Sequence, residues 1–142
     1  KYAVRVGGAC NHRMGLYDMV LLKENHIEAA GGIGPAVHGV RKAQFERAQP
    51  VKVEVEVRNL RELEETLTAG VDWIMLDNMD LDTMAEAVRL VHQQGEPRPV
   101  LEASGNVTLG SARKIAETGV DYISVGSLTH SVSALDISML FQ

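Results

Sequence analysis

Five positions in this chain end an apolar run with a residue suited to chemistry. Lys23 follows Leu21-Leu22, Glu56 follows Val53-Glu54-Val55, and Asp77 follows Met75-Leu76. Ser104 follows Val100-Leu101-Glu102-Ala103, and Gly126 follows Ile123-Ser124-Val125. Runs of this length and composition read as core strands of a parallel sheet covered on both faces. An α/β barrel carries its active site at the carboxyl ends of such strands. The pattern points to an enzyme with most of its site in view.

The segment Val51–Val57 is the sharpest local clue. Strand alternation puts Val53, Val55 and Val57 on one face and Glu54 and Glu56 on the other. Helices outside a barrel need an apolar surface, so the valines face them and the glutamates point inward. A buried carboxylate is costly unless it meets a cation, a metal or a ligand. A half-exposed strand with solvated glutamates fits the same alternation, and both readings stay open here. Asp77, at the tip of Trp-Ile-Met-Leu and before Asn78, favours the functional one. Its bland role is to cap the following helix. Two acids on neighbouring tips, Glu56 and Asp77, could hold Mg²⁺ or hydrogen-bond sugar hydroxyls.

Asn11-His12-Arg13 lies among Gly7, Gly8 and Gly15, with Lys23 not far beyond. His12, Arg13 and Lys23 suit a small polyanion: Arg offers a planar fork, Lys a point charge. A solvated loop is the plain alternative. Ser104-Gly105-Asn106 and Gly126-Ser127 follow the last two strands, where barrels commonly bind phosphate through backbone amides. His130 could touch that phosphate or cap a terminal helix. Cys10 reads as a small buried residue, Met75 and Trp73 as core, and His38 and His92 as surface.

These residues need a frame of alternating strands and helices. Strands are expected at Met19–Lys23, Val51–Val57, Trp73–Leu76, Val100–Ala103 and Tyr122–Val125. Helices are expected at Ile33–Phe45, from a capping box at Asn59 to Ala69, from Asp82 or Thr83 to near Gly95, and from a Thr108 cap to Thr118. A short helix is expected at Ser131–Leu140, and Lys1–Val6 looks like the end of another. Ala69-Gly-Val-Asp-Trp-Ile-Met-Leu-Asp77 echoes Thr118-Gly-Val-Asp-Tyr-Ile-Ser-Val-Gly126, as repeating βα units do. The fold class is α/β: part of an open, TIM-like barrel of parallel strands.

The 142 residues fit one domain or part of one. A formal charge of −5 argues against nucleic acid as partner. One cysteine permits no internal disulfide, which suits the cytoplasm, and no apolar run approaches a membrane span.

Taken in order, several stretches resemble quinolinate phosphoribosyltransferases, the carboxylating nicotinate-nucleotide pyrophosphorylases. They are Lys1-Tyr-Ala-Val4, Gly7-Gly8, Asn11-His-Arg-Met-Gly-Leu16, Leu22-Lys-Glu-Asn-His26 and Val53-Glu-Val-Glu-Val57. Ile74-Met-Leu-Asp-Asn78, Leu101-Glu-Ala-Ser-Gly105, Glu117-Thr-Gly-Val-Asp121, Ile123-Ser-Val-Gly126, Leu128-Thr-His130 and Ala134-Leu-Asp136 complete the set. The resemblance implies decarboxylating transfer from phosphoribosyl pyrophosphate to quinolinate, in NAD biosynthesis. It implies catalytic roles for Lys23, Glu56 and Asp77, and quinolinate binding by His12, Arg13 and Lys23. Glu56 and Asp77 would face the ribose and its Mg²⁺, directly or through water. Ser104, Gly105, Asn106, Gly126, Ser127 and His130 would hold phosphates. No organic cofactor is implied. A homodimer or an assembly of dimers is.

Two positions depart from the family pattern: Ala9 stands where a third glycine is usual, and Asn106 where a second glycine often follows the serine. Five strands also fall short of the eight in a closed barrel. The family's amino-terminal domain and its Thr-Arg-Lys segment, which carry further substrate-binding cations, have no counterpart here. A barrel fragment with a structural role, a molybdenum-operon paralogue, and an isomerase or aldolase using Lys23 or Glu56 are the competing readings. The expectation is that the isolated 142-residue polypeptide is inactive. A turnover assay checks this, and normal activity would refute it.

Overall fold

Valine at every second position of Lys52–Val57 gives that strand one wholly apolar face, and the sheet is organised around it. The computed structural model describes residues 1–48 and 50–141. Five strands form one sheet: β1 (Met19–Leu22), β2 (Lys52–Val57), β3 (Trp73–Asp77), β4 (Val100–Ser104) and β5 (Tyr122–Ile123). They lie side by side in chain order, every neighbouring pair parallel. This is the expected part-barrel, with β1 and β5 at its edges.

Helices α1 (Tyr2–Val6), α2 (Glu24–Ala30), α3 (Ile33–Arg47), α4 (Leu60–Ala69), α5 (Leu81–His92), α6 (Leu109–Glu117) and α7 (Ser127–His130) connect and flank the strands. Val53, Val55, Val57, Ile74, Leu76, Leu101 and Ala103 enter one core with Leu63 of α4 and Ile115 of α6. From α5 come Met84, Ala87, Val88 and Val91, whose i, i+3, i+4, i+7 spacing lines one helix face. Each large apolar side chain so buried contributes about 1.5–3 kcal/mol.

The helix starts are set by short polar side chains. Asn59 accepts from the Glu62 amide, and Thr108 from the Ser111 amide. Glu62 answers to the Arg58 amide rather than to Asn59, so only half of the expected box forms there. The cap of α5 is Asp80, which accepts from the Thr83 amide, not Asp82 or Thr83. Gly70 closes α4 at φ 70°, a left-handed turn that glycine adopts without strain.

Three further expectations are corrected. α2 was not foreseen, because its seven residues carry one branched apolar side chain, Ile27, and show no period. Ser131–Leu140 forms no helix: Val132, Leu135, Ile137 and Leu140 lie in solvent with no surface to pack on, and packing supplies most helix stability. Cys10 is exposed, on a loop outside the core.

The internal echo has a structural meaning. The Asp72 carboxylate accepts from the Val53 amide at 2.8 Å, and its own amide donates to the Val53 carbonyl at 3.0 Å. Asp121 does the same to Leu101, at 2.8 and 3.0 Å. Each aspartate stitches the start of its strand to a strand already laid down, and each holds an arginine: Arg41 on Asp72, Arg98 on Asp121. The next residue of each copy, Trp73 and Tyr122, brings its ring within 4.9 Å of the other. Lys52 sits over the Trp73 ring.

The Arg98 guanidinium, helped by the Leu101 amide, holds the Asp121 carboxyl below its usual range. Its folded pKa is therefore the lower one, so its contribution is present above the unfolded value and fades as pH falls through the folded one. Asp121→Ala is expected to lose about 1–3 kcal/mol at pH 7 in urea unfolding, because it also orphans the Leu101 amide. The deficit relative to wild type should shrink in strong acid.

Candidate active site

The face of the sheet opposite the helices carries the charged residues. Register places Leu21 beside Glu54, Glu56 beside Met75, Met75 beside Glu102, and Asp77 beside Ser104. Side chains two apart share a face, so Lys23, Glu56, Asp77 and Ser104 end neighbouring strands on one side. A one-residue slip would send all of them among the helices. The inward reading of both glutamates is the one the structure adopts.

At the first tips, Lys23 Nζ lies 3.2 Å from Glu56 Oε2, with Lys23 half-exposed and Glu56 mostly buried. The Lys23 amide donates to His26 Nδ1 at 3.0 Å, which fixes the backbone where β1 gives way to α2. At the β3 tip, Asp77 Oδ1 accepts from Asn78 Nδ2 at 3.0 Å. Asn78 Oδ1 in turn accepts from Asn106 Nδ2 at 3.0 Å, and the Asn78 amide donates to the Ser104 carbonyl. Gly105, at φ 100°, lies directly under that amide side chain: a Cβ there would stand 2.2 Å from Asn78 Oδ1. A side chain at position 105 would displace the Asn78 amide and strain a backbone at positive φ. Asn106 is itself left-handed, at φ 49°.

Beyond β5, Gly126 opens α7, and the His130 ring folds back so that a Cβ at 126 would meet its Nε2 at 2.8 Å. His130 Nδ1 pairs with Ser131 Oγ. Among the described residues, the amides of Gly105, Asn106, Gly126 and Ser127 donate to no protein atom. Free amides at two adjacent tips are a fit for an anion.

Deeper in the same face is a cluster that sequence reasoning only half anticipated. Glu54 is fully buried, and its Oε2 accepts from His12 Nε2 at 2.9 Å. Glu102, 2% exposed, has Oε2 3.8 Å from the same nitrogen, while its Oε1 accepts from Ser124 Oγ at 2.6 Å. One ligating atom from each of His12, Glu54 and Glu102 lies within 4.8 Å of the others. The Glu54 bond and the charges of both carboxylates raise the His12 pKa above 6.5, against burial, which lowers it. Burial raises the Glu102 pKa, and the Ser124 bond opposes it. Glu102 and Ser124 had no expected role. Their signal was present: Glu102 breaks an apolar strand at the same parity as Ser104.

His12 reaches the cluster from a loop without helix or strand. Lys1 Nζ donates to the carbonyls of His12 and Arg13, and Asp18 accepts from the Met14 and Gly15 amides. Arg13 donates to the Met19 carbonyl at 3.1 Å, which holds it at the start of β1, the end opposite Lys23. His12 and Arg13 line a cavity of about 650 Å³ with Trp73, Glu102, Ser124 and Gly126. Lys23 and Asp77 are not part of that wall. His38 and His92 are exposed, as expected.

A parallel α/β sheet with a lysine, carboxylates and free amides at its carboxyl strand ends is a part-barrel whose polar groups lie where α/β barrels carry their sites. The sequence relationships are specific. The family profile "Quinolinate phosphoribosyl transferase, C-terminal domain" matches residues 1–140, and the chain belongs to that family. It is 50% identical over 139 residues to a carboxylating nicotinate-nucleotide pyrophosphorylase of Synechocystis, covering 98% of this chain and 46% of that protein. A chloroplastic counterpart in Arabidopsis thaliana is 47% identical over 154 residues, covering 98% and 43%. The solved nicotinate-nucleotide pyrophosphorylase of Francisella tularensis superposes with a TM-score of 0.87 at 45% identity, over 96% of this chain and 46% of that one. A thiamine phosphate pyrophosphorylase of Pyrococcus furiosus, 19% identical with a TM-score of 0.56 over 78% of this chain and 50% of its own, shares the fold alone. The chain thus spans somewhat under half the length of the curated relatives it matches.

The His12–Glu54 pair predicts a pH effect of definite sign. The folded pKa of His12 is the higher one, so the pair stabilises fully below about pH 6.5, the unfolded value. That contribution is lost as pH rises through the folded pKa. Urea midpoints of wild type and His12→Ala should therefore converge toward alkaline pH, and a difference that grows with pH would refute the sign.

Proposed function

We propose that the protein containing this chain transfers a phosphoribosyl group from phosphoribosyl pyrophosphate to quinolinate. The products are nicotinate mononucleotide, pyrophosphate and CO₂. Family membership supports the reaction. The observation that carries the site is the placement of Lys23, Glu56, Asp77 and Ser104 on one face of adjacent strand ends.

The lone pair of the pyridine nitrogen forms a bond to the anomeric carbon as the bond to pyrophosphate breaks. The ring nitrogen becomes cationic. The bond from C2 to its carboxylate then breaks, CO₂ leaves, the electron pair stays on C2 as a carbanion stabilised by the adjacent cationic nitrogen, and that pair takes a proton from solvent. Lys23 at the strand tips and His12 in the interior are the cations offered to the diacid, whereas Arg13 is held by the Met19 carbonyl at the opposite end of β1. Glu56 and Asp77 are the anions for a sugar carbon turning cationic, a charge match that favours the transition state. Ser104, Gly105, Asn106, Gly126, Ser127 and His130 offer amides and polar side chains for phosphate. Holding both substrates in line supplies much of the rate.

Glu56 and Asp77 also fit Mg²⁺, since paired carboxylates with substrate phosphates are its usual oxygen donors. Bound there, the ion would neutralise pyrophosphate charge. We further propose a homodimer: Leu135, Ile137, Leu140 and Phe141 lie in solvent and support packing on further protein. No helix among the described residues is long and apolar enough to cross a membrane. A reducing compartment such as the cytoplasm suits the lone exposed Cys10.

In the intact protein, Glu56→Gln and Asp77→Asn should lower kcat about 10²–10³-fold, the effect of removing one preorganised electrostatic group. Lys23→Ala should mainly raise KM for quinolinate. Pyrophosphate release and ¹⁴CO₂ from carboxyl-labelled quinolinate measure both. Wild-type-like turnover in Asp77→Asn would overturn the assignment.

A further inference from the structure

We infer that Glu54 and Glu102 are positioning residues for His12, fixing its ring so that Nδ1 faces the cavity as the donor to an anionic substrate group. The inference rests on the reading of His12 as a quinolinate contact and extends it to three residues given no role above: Glu54, Glu102 and Ser124.

The loop that carries His12 has no helix or strand to set a side-chain direction. Its ties, through Lys1, Arg13 and Asp18, hold the backbone and its ends. The ring itself is tied at one atom, Nε2, which donates to Glu54 Oε2. Glu54 is fully buried on β2, an interior strand paired on both sides, so its own position is well fixed. Glu102 approaches the same nitrogen from β4, two strands away, and Ser124 holds Glu102 from beyond β5. Two inward carboxylates thus converge on one ring atom, and Ser124 holds the second of them.

Stability alone does not explain this arrangement. Two carboxylates share an interior with a single cation, and Glu54 Oε1 has no hydrogen-bond partner among the described residues. Apolar residues of similar volume are often as stable as a buried ion pair, or more so. A residue that must point one way is a better account of such a cluster. With Nε2 turned inward, Nδ1 is the remaining ring donor, and no protein atom among the described residues takes it. The side chain is 29% exposed and lines the cavity. The groups that face the ring are Glu54 from β2, Glu102 from β4 and Arg13 beside it on the loop. The bond to Glu54 and the two acidic charges outweigh burial and the arginine, which shifts the ring toward its protonated form. A pyridine dicarboxylate is an acceptor of the matching charge.

The test uses the intact protein with Glu54→Gln, Glu102→Gln and Ser124→Ala, and the double variant His12→Ala/Glu54→Gln. Glu54→Gln should raise KM for quinolinate about tenfold, as expected when a charge-assisted hydrogen bond is lost. KM for phosphoribosyl pyrophosphate and kcat should change by less than about twofold, since the interaction is with one substrate in its ground state. The alkaline fall of kcat/KM for quinolinate should move to lower pH, as should the His12 imidazole titration followed by ¹⁵N NMR. Ser124→Ala should move both in the same direction by less, which keeps the test open if Glu54→Gln folds poorly. The double variant should be no worse than His12→Ala alone, because Glu54 acts through His12.

A Glu54→Gln protein that melts earlier but keeps its quinolinate KM, pH profile and imidazole titration would overturn the inference. Stoichiometric zinc in the purified protein, lost in Glu54→Gln, would also overturn it, since His12 would then be a metal ligand. Failure of wild type to convert quinolinate would sink the functional reading instead, and the imidazole titration would still judge the positioning of His12.

Discussion

A carboxylate without solvent must find a cation or give up its charge, and Glu54 finds His12. That one contact joins the sheet to the loop that precedes it. It exists because β2 alternates: the valines go to the helices, which leaves the glutamates on the other side. The His12 loop packs where it does because two buried acids make that interior attractive to a ring that can carry charge. Remove the pair and the loop keeps only backbone ties and an arginine at the start of β1. The interior of this part-barrel is therefore polar by construction, and its polarity is graded. The aromatic pair Trp73 and Tyr122 with Lys52 lies at the strand starts, the His12 cluster in the middle, and Lys23, Glu56, Asp77 and Ser104 at the tips.

The tips are useful only if the strands hold their register. Asp72 and Asp121 enforce it by clamping the amide and carbonyl of a residue on a preceding strand. Each clamp lies at the end of the sheet away from the reactive groups, so a stabilising device and a functional one occupy opposite ends of the same strands. Their repetition explains the echo in the sequence as a repeated joint. At the working end, Asn78 plays the linking part: it touches Asp77, Ser104 and Asn106 and fills the space over Gly105. The acidic tip and the amide-bearing tip are thereby held as one surface.

Much of this was legible without coordinates. An acid, an amine or a glycine ending an apolar run is conspicuous, and Lys23, Glu56, Asp77, Ser104 and Gly126 were found that way. The parity of β2 was enough to pose the question of where its glutamates face, though not to answer it. Other features lacked a local signal. Glu102 has no assigned role in the sequence because its partner, Ser124, is 22 residues away. α2 carries too few apolar residues to show a period. Cys10 was placed inside on the habits of cysteine, while its loop lies outside. The stretch at Ser131–Leu140 has helical composition but no surface to pack on.

What the sequence determined is the alternation itself: which residues are apolar in steps of two or of three and four, where glycines and caps interrupt them, and hence that strands and helices alternate with reactive groups at strand ends. Those are properties of neighbours along the chain. The tertiary structure decided which of the reactive groups meet. His12 and Glu54 are 42 positions apart, and His12 with Glu102 farther still. Their encounter depends on sheet order, register and the path of a loop, each set by packing across the whole sheet. Proximity of charges is a long-range property, and only the folded chain, where burial makes an unpaired carboxylate expensive, selects it.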